Sequence, residues 1–256
     1  IIDGDYDLDK VGVYNLTYTI IDNSNNKKEV NVTLNVVDKI NNTSYQTKTI
    51  PFSDILNYYK DDNSVEVGLD VSEWQGNIDF NKVKESGATF VMIRIGVQNK
   101  DGLPNMDRNY NYNIKAAKEA GLKVGVYLYT IAEDEKEAIE QANWVIDNLD
   151  YELDLPIVFD WENWTYWNYY KISFHKINEI ANTFIETINE NGYTGMLYSS
   201  KFYLETIWQN KKEYPVWLAH YIDETDYKGK YDMWQLCNNA RIDGINGNVD
   251  VDILYK

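Results

Sequence analysis

The sequence has little cysteine, little histidine and no long apolar run. Cys237 is the only cysteine, so no intramolecular disulfide can form, and we expect it to be a small buried apolar residue. The two histidines, His175 and His220, cannot supply a histidine-rich metal site alone, and we expect neither metal nor cofactor. No stretch approaches 18 consecutive apolar residues, so we expect no transmembrane helix and no membrane insertion.

Basic residues are also scarce. The chain has 24 lysines and arginines against 41 acidic residues, a net charge of -17, with no basic arm or patch. Binding to nucleic acid or to an anionic membrane by charge attraction is therefore disfavoured. Aromatic residues, by contrast, are plentiful, with 22 Tyr and 8 Trp. Their flat apolar faces and polar edges suit stacking on sugars, although most are expected to fill the core.

The first 40 residues differ from the rest. Residues 11–22 and 29–38 alternate with period two around a polar turn at Asn23–Asn26, which predicts an antiparallel hairpin. The pattern Gly-x-Tyr-x-Leu-x-Tyr-x-Ile-x-Asp from Gly12 resembles the end of a bacterial immunoglobulin-like surface domain. We interpret residues 1–45 as a partial β module of this kind; the alternative is a very small module in its own right. We interpret residues 46–64 as a linker with one or two helical turns at 52–59.

From Val65 onward, apolar runs alternate with helical periodicity, which indicates an α/β domain over residues 65–256. Helices are predicted at 79–86, 110–120, 133–148, 173–191 and 201–209. The pattern predicts a TIM-like (β/α) barrel with eight parallel strands and about five helices, whose last strands lack full helices. The predicted strands are 65–71, 89–95, 123–129, 156–162, 194–199, 216–221, 231–236 and 249–253.

The fourth predicted strand ends in two acids, Asp160 and Glu162. Alternate residues of a strand share a face, and two residues of rise put these backbones roughly 6.6 Å apart. Two acids at the carboxyl end of a barrel strand suit cleavage of a glycosidic bond. The alternative is a loop acid and a helix-capping acid with no shared task.

Other predicted strands also end in acids or aromatics. Asp70 lies near the end of the first strand, and Asp250 belongs to the last. Ionisable groups that converge on one rim repel each other, and the usual benefit of such a cluster is a shifted pKa. The third to seventh strands add aromatic residues to the same rim, namely Tyr127, Tyr198, Trp217, Tyr221 and Trp234. Each of these aromatics is a candidate for sugar binding or for plain packing at the rim.

Seven segments resemble, in order, the motifs of glycoside hydrolase family 25, the lysozyme or muramidase family. The resemblance covers about residues 66–256. The segments are Asp70–Phe80 (opening motif), Phe90–Gly96 and Gly125–Tyr127 (second and third strands), Phe159–Glu162 (catalytic signature), and Val216–Tyr221, Trp234–Gln235 and Gly244–Asp250 (closing strands).

The resemblance implies hydrolysis of the β-1,4 bond between N-acetylmuramic acid and N-acetylglucosamine in bacterial cell-wall peptidoglycan. It implies Glu162 as general acid/base and Asp160 as the group that stabilises the attacking 2-acetamido group of the sugar. Asp70 and Asp250 complete the expected catalytic set by tuning this pair. The expected substrate-binding residues are Arg94, Tyr127, Tyr198, Trp217, Tyr221 and Trp234.

Three departures from the family pattern bear on sugar preference. Leu128 stands where the family often has His, and Asp252 stands where it often has Asn. The segment 161–170 is unusually aromatic. None of these departures removes a carboxylate.

Two other functions remain open. The barrel could be a catalytically silent wall-binding module, although all four acids are retained, or a chitinase-like glycosidase. We expect a monomer that is secreted or associated with the cell surface or wall, of bacterial or phage origin. Because the chain opens at Ile1, we expect it to be a processed or excised fragment without its targeting segment.

Overall fold

The structure is a computed structural model that describes residues 2–7, 9–21, 26–36, 49–98, 102–162, 164, 172–209 and 212–256. Its contacts divide the chain into two compact units, Ile1–Thr47 and Lys48–Lys256. Each unit is described by itself. Within the described ranges, no helix is long and apolar enough to cross a membrane.

The first unit is a small antiparallel sheet of β1 (Ile2–Asp3), β2 (Gly12–Ile21) and β3 (Lys27–Val36). β2 and β3 pair along their whole length, which confirms the predicted hairpin. The turn predicted at Asn23–Asn26 lies outside the described residues except for Asn26, as does the predicted strand end at 37–38. The immunoglobulin-like character of this unit stays a prediction.

The second unit is a closed barrel. Strands β5, β6, β8, β9, β10, β11, β12 and β13 follow each other around it, and pairing of β12 with β13 and of β13 with β5 completes the ring. This confirms the eight-stranded α/β barrel, with six helices among the described residues instead of about five. In chain order the elements are β4 (Ile50–Pro51), α1 (Phe52–Tyr59), β5 (Val65–Val71), a 3₁₀ turn (Glu73–Gln75), α2 (Phe80–Glu85), β6 (Phe90–Val97), β7 (Asn105–Met106), α3 (Tyr110–Glu119), β8 (Lys123–Tyr129), α4 (Glu135–Asp147), β9 (Ile157–Asp160), α5 (Phe174–Glu190), β10 (Gly195–Ser200), α6 (Lys201–Thr206), β11 (Val216–Ala219), β12 (Met233–Arg241) and β13 (Val249–Tyr255).

The last strand runs against the other seven, so the prediction of an all-parallel barrel is wrong for β13. Only residues 242–248 join β12 to β13, and they contain no helix. A connection this short can join antiparallel neighbours but cannot make a parallel crossover. Asp250 therefore lies at the beginning of its strand and pairs with Asp70, near the end of β5.

Strand alternation separates the barrel interior from the layer between strands and helices. On β6, Phe90 and Met92 face an inner cluster, whereas Val91 and Ile93 pack in the large outer cluster. Gly68 is one of the residues that let the interior close, because a Cβ there would lie 2.5 Å from the Phe90 carbonyl oxygen. The apolar inner cluster forms a floor, and the polar inward-facing residues stand at one end of it. In the outer cluster, Cys237 is buried as predicted.

The helical turns predicted at 52–59 are confirmed by α1, but the interpretation of Ile50–Tyr59 as linker is wrong, because this stretch packs on the barrel. β4 pairs with β12 through Ile50 and Ala240, and α1 buries Phe52 and Ile55 against the barrel. The physical reason is visible in the sequence, since apolar residues at 52, 55, 56 and 59 repeat with helical spacing and form one apolar face. The linker residues 46–48 lie outside the described residues.

Two truncations should distinguish the effect of the first unit on barrel stability from the effect of α1. We expect a protein that begins at Lys48 to keep the melting temperature (Tm) of the barrel, because Lys48–Lys256 is a compact unit. A protein that begins at Ser64 loses the burial of Phe52 and Ile55, about 4 kcal/mol in total, so its Tm should fall by roughly 8–16 °C. Calorimetry on both proteins measures this. Equal Tm values would show that α1 does not stabilise the barrel.

Candidate active site

A cleft of about 320 Å³ opens at the polar end of the barrel. All of its lining residues belong to the second unit, and they come from the rim ends of the strands and the loops that follow them. They are Asp70, Ser72, Trp74, Gln75, Arg94, Tyr127, Tyr129, Asp160, Glu162, Tyr198, Trp217, Tyr221, Gln235 and Asp250. Nine of the ten residues predicted for the site are among them, and Trp234 is not.

Glu162 and Asp160 differ in exposure although both line the cleft. Asp160 is the last residue of β9 and is buried, and its Oδ1 atom has no hydrogen-bond partner among the described residues. Glu162 follows the strand and is exposed to solvent in the cleft. The arrangement therefore presents one reachable carboxyl group beside a carboxyl group with a free buried acceptor.

The carboxyl groups of the cleft hold protons more tightly than usual. Burial raises the pKa of Asp160 well above its ordinary value, and the charge of Glu162 adds to this, while Arg94 opposes it. The protein atoms around Glu162 also desolvate its carboxyl and raise its pKa, although solvent still reaches the side chain. Since two adjacent carboxylates cannot both ionise cheaply, the pair favours a shared proton. A protonated acid near neutral pH can protonate a leaving oxygen.

A second set of acidic residues lies on β5 and β13. Burial raises the pKa of Asp70 well above its ordinary value, and the neighbouring Asp252 contributes. Asp252 is fully buried and accepts a hydrogen bond from Trp217 Nε1 at 2.9 Å. Burial, together with Asp70 and Glu162, raises the pKa of Asp250 to about 9. Asp252, which our sequence analysis noted only as a departure from the family pattern, is thus part of the acidic cluster.

Gln235 connects these acids to two tyrosines. Its Oε1 accepts hydrogen bonds from Tyr198 Oη at 2.8 Å and Tyr221 Oη at 2.9 Å. Its Nε2 donates to Asp70 Oδ2 at 2.7 Å and to Asp250 Oδ2 at 3.4 Å. Gln235 therefore fixes both acids and both hydroxyls, although sequence reasoning did not select it.

Trp234, the neighbour of Gln235, is not in the cleft, so its predicted role in substrate binding is wrong. Consecutive strand residues face opposite ways, and Gln235 takes the inward position. Trp234 packs in the outer cluster, where its Nε1 donates to the His220 carbonyl at 2.8 Å. Both residues lie in the motif Trp234–Gln235. Only knowledge of which residues of β12 point into the barrel could have shown which of the two lines the cleft.

Arg94 is held by acids other than Asp160 and Glu162. Its Nε donates to Asp107 Oδ2 at 2.8 Å, and its Nη2 lies 3.2 Å from Glu73 Oε1. The guanidinium is largely buried but lines the cleft wall. Arg94 therefore supports the loop around Glu73 and adds positive charge near Asp160.

The aromatic residues form the floor and sides of the cleft. The Trp217 ring meets Tyr198 and Tyr127 edge-on, at centroid distances of 4.8 and 5.9 Å. Trp217 is only 1% exposed, so it serves as floor rather than as an open stacking face. Burial raises the pKa of Tyr127 and Tyr198 well above the ordinary value, so both hydroxyls stay protonated.

In the predicted aromatic segment 161–170, the structure describes 161, 162 and 164. Trp161 is fully buried, and the Trp164 ring stacks on Tyr203 at 3.8 Å. The rest of this segment lies outside the described residues. Over the described part of the chain, no cluster of three or more His, Cys, Asp or Glu is arranged to hold a metal ion.

The family model described as glycosyl hydrolases family 25 matches residues 69–245. The chain belongs to this family. The matched range runs from the end of β5 into the loop before β13 and contains every catalytic residue predicted above except Asp250. The range matched by the family model therefore contains all the residues that line the cleft except Asp250.

Among known relatives, the autolytic lysozyme of Clostridium acetobutylicum is 29% identical over 187 residues, which are 72% of this chain and 54% of the relative. The structure of the modular autolysin LytC of Streptococcus pneumoniae, in complex with a synthetic peptidoglycan ligand, has a TM-score of 0.62 and 29% identity, and the match covers 75% of this chain and 47% of LytC. The chain thus spans about half the length of these two relatives.

A third structure supports the fold alone. The catalytic domain of endolysin ply40, from bacteriophage P40 of Listeria monocytogenes, has a TM-score of 0.64 and 22% identity. The match covers 76% of this chain and 95% of that domain. The barrel of this chain therefore has the same fold as that domain.

The raised pKa of Asp250 should make the family 25 barrel less stable as pH rises. Its ordinary value is 3.8 and its folded value about 9, so the folded state binds the extra proton between these limits. The stabilisation is complete below pH 3.8 and is lost as pH rises towards 9. We expect Tm to fall across this window and Asp250→Asn to flatten the fall, by up to about 1.4 kcal/mol per pH unit in unfolding free energy.

Calorimetry at pH 5, 6, 7 and 8 tests this expectation. Asp243→Asn is the matched control, because Asp243 is an exposed acid in the loop before β13. If both variants show the same pH slope, Asp250 does not hold the extra proton.

Proposed function

We propose that the family 25 barrel hydrolyses peptidoglycan at the β-1,4 bond between N-acetylmuramic acid and N-acetylglucosamine. The observation that carries the proposal is the pair at the end of β9, with Glu162 exposed in the cleft beside buried Asp160. A reachable acid with a raised pKa next to a buried acceptor is what protonation of a glycosidic oxygen requires.

In the proposed mechanism, Glu162 gives its proton to the glycosidic oxygen as that bond breaks. The carbonyl oxygen of the sugar's own 2-acetamido group attacks the anomeric carbon and forms an oxazolinium-like intermediate. Asp160 accepts a hydrogen bond from the acetamido nitrogen through its unpartnered oxygen and stabilises the positive charge. Glu162, now a carboxylate, takes a proton from water, which opens the ring from the other face and retains the configuration.

The other acids would prepare this pair. Asp70 and Asp250, held by Gln235, also have raised pKa values, so the acids of the cleft retain protons near neutral pH, and their oxygens can accept hydrogen bonds from sugar hydroxyls. The Tyr127 hydroxyl, which stays protonated, can donate to the sugar, whereas the Tyr198 hydroxyl donates its proton to Gln235 and can accept from the sugar. No step in this scheme calls for a metal ion or a cofactor.

The relatives support the substrate class. One is an autolytic lysozyme, and another binds a synthetic peptidoglycan ligand. Because the chain spans about half of each, their complete activities are not transferred. We further propose a monomer that acts outside the cytoplasm, at the cell surface or wall, on peptidoglycan alone. Nucleic acid and membranes are poor partners for a chain with net charge -17.

Mass spectrometry of the products from purified, borohydride-reduced peptidoglycan digests tests the proposal. A muramidase leaves muramic acid at each new reducing end, so the reduced products should end in muramitol. Release of chitin oligomers without clearing of walls would favour the chitinase-like alternative. Wall binding without any new reducing ends would favour the catalytically silent module.

A further inference from the structure

Trp74 lies on the cleft wall but was not among the residues predicted from the sequence. We propose that it is a stacking platform for a sugar ring of the glycan, beyond the ring whose bond Glu162 protonates. The inference rests on the proposed function, which it extends to the substrate's length. Trp and Tyr faces suit this role because their apolar rings match the apolar face of a pyranose.

Trp74 is the most exposed of the large apolar residues in the described structure, at 79%. A single exposed apolar side chain is ordinary on a protein surface and by itself indicates nothing. Here, however, the residue borders the cleft that also contains Asp70 and Glu162. The exposed face is therefore available to whatever occupies that cleft.

The backbone under Trp74 is fixed on both sides. Ser72 and Gln75 form a reciprocal cap, in which Trp74 N donates to Ser72 Oγ at 3.3 Å and Ser72 N donates to Gln75 Oε1 at 2.8 Å. Gly76 closes the turn with φ 67°, and its N–H donates to the Glu73 carbonyl at 3.1 Å. A single 3₁₀ turn with this many bonds holds its exposed side chain at a defined place.

A second loop supports the same turn from outside. Asp107 Oδ2 accepts from Glu73 N at 3.0 Å, and Asn109 Nδ2 donates to the Gly76 carbonyl at 2.9 Å. The Glu73 carboxylate in turn pairs with Arg94 and Arg108. An exposed ring on a fixed support loses little conformational entropy when it binds, which is what a preorganised contact requires.

The position of Trp74 in the barrel sets which sugar it can reach. It follows β5, whereas Glu162 follows β9, and these strands lie three positions apart in the order β5, β6, β8, β9. At about 4.8 Å per strand, this is roughly 14 Å along the wall. The ring that stacks on Trp74 is therefore not the ring whose bond is cut, so the contact should favour longer glycan strands.

The test compares Trp74→Ala, Trp74→Phe and Tyr58→Ala with the wild type. Tyr58 is the matched control, since it is 69% exposed on α1 and does not line the cleft. With long, uncrosslinked glycan strands, Trp74→Ala should raise KM about 10- to 30-fold and change kcat less than 3-fold, because one apolar contact is lost in both ground and transition states. Trp74→Phe should recover part of the affinity, and Tyr58→Ala should match the wild type.

Two results would overturn the inference. One is a KM for Trp74→Ala within 2-fold of wild type on long strands, and the other is an equal loss on the shortest cleavable fragment. Cosedimentation with insoluble purified peptidoglycan measures binding without catalysis. If the wild type cuts no wall, the proposed function fails, and this binding assay still decides whether Trp74 contributes. Equal melting temperatures would exclude misfolding as the cause of any loss.

Discussion

Glu162→Gln is expected to reduce hydrolysis of purified walls by about 10²–10⁴-fold or more while leaving the fold intact. Glutamine keeps the shape of the side chain but cannot donate the proton that the glycosidic oxygen needs. The side chain is exposed in the cleft, so its replacement leaves no buried charge behind. The rate of appearance of reducing ends, at matched Tm, measures the effect.

Glu152→Gln is the control for this loss. Glu152 is exposed and lies shortly before β9, and it does not line the cleft. Its replacement should leave the rate unchanged. If Glu162→Gln keeps more than a third of the wild-type turnover, Glu162 is not the general acid.

Asp160→Asn is expected to lower turnover by about 10²–10³-fold, the usual effect of removing one group that stabilises developing charge. Asparagine fills the same buried space but cannot offset the positive charge of the oxazolinium-like intermediate. A substrate without its 2-acetamido group should lose a comparable factor with the wild type, and little more with Asp160→Asn, because the two changes remove the same interaction.

The stereochemistry of the first product tests the same step. Proton NMR at early times should detect retained anomeric configuration at the new muramic acid reducing end. Inverted product would mean that Asp160 or another acid activates a water molecule as general base. A new reducing end at N-acetylglucosamine would contradict the muramidase assignment itself.

Local sequence patterns were sufficient to predict the strands and to place Asp160 and Glu162 at one rim of the barrel. Apolar runs such as Ile157–Phe159 have few alternatives to a buried strand. The strand ends at Asp160, so strand alternation does not place Glu162, which nevertheless lines the same cleft. The direction of β13 was harder to predict, because the apolar sequence of the strand itself does not indicate whether it runs parallel or antiparallel to its neighbours. The seven residues before β13 do encode it, since they are too few for a crossover.

Two features were not predictable from single residues: which side of a strand faces the cleft, and which distant residues hold a cleft loop in place. Trp234 and Gln235 are adjacent, and only the register of β12 determines that the glutamine meets Asp70. Trp74 becomes informative only when its turn is seen to be fixed by Asp107 and Asn109, more than 30 positions away. Contacts between distant segments have no local sequence signal, so these parts of the cleft needed the structure.

The reversed direction of β13 also determines where the chain leaves the barrel. The strand starts at the cleft with Asp250 and runs about 17 Å to Tyr255, and Lys256 N then donates to the Ser64 carbonyl at 2.9 Å, just before β5 begins. A peptide tag added after Lys256 would therefore emerge at the far end of the barrel from the cleft. If the protein were attached to a bead or sensor through such a tag, its cleft would point away from that surface. The cleft could then contact an insoluble polymer directly.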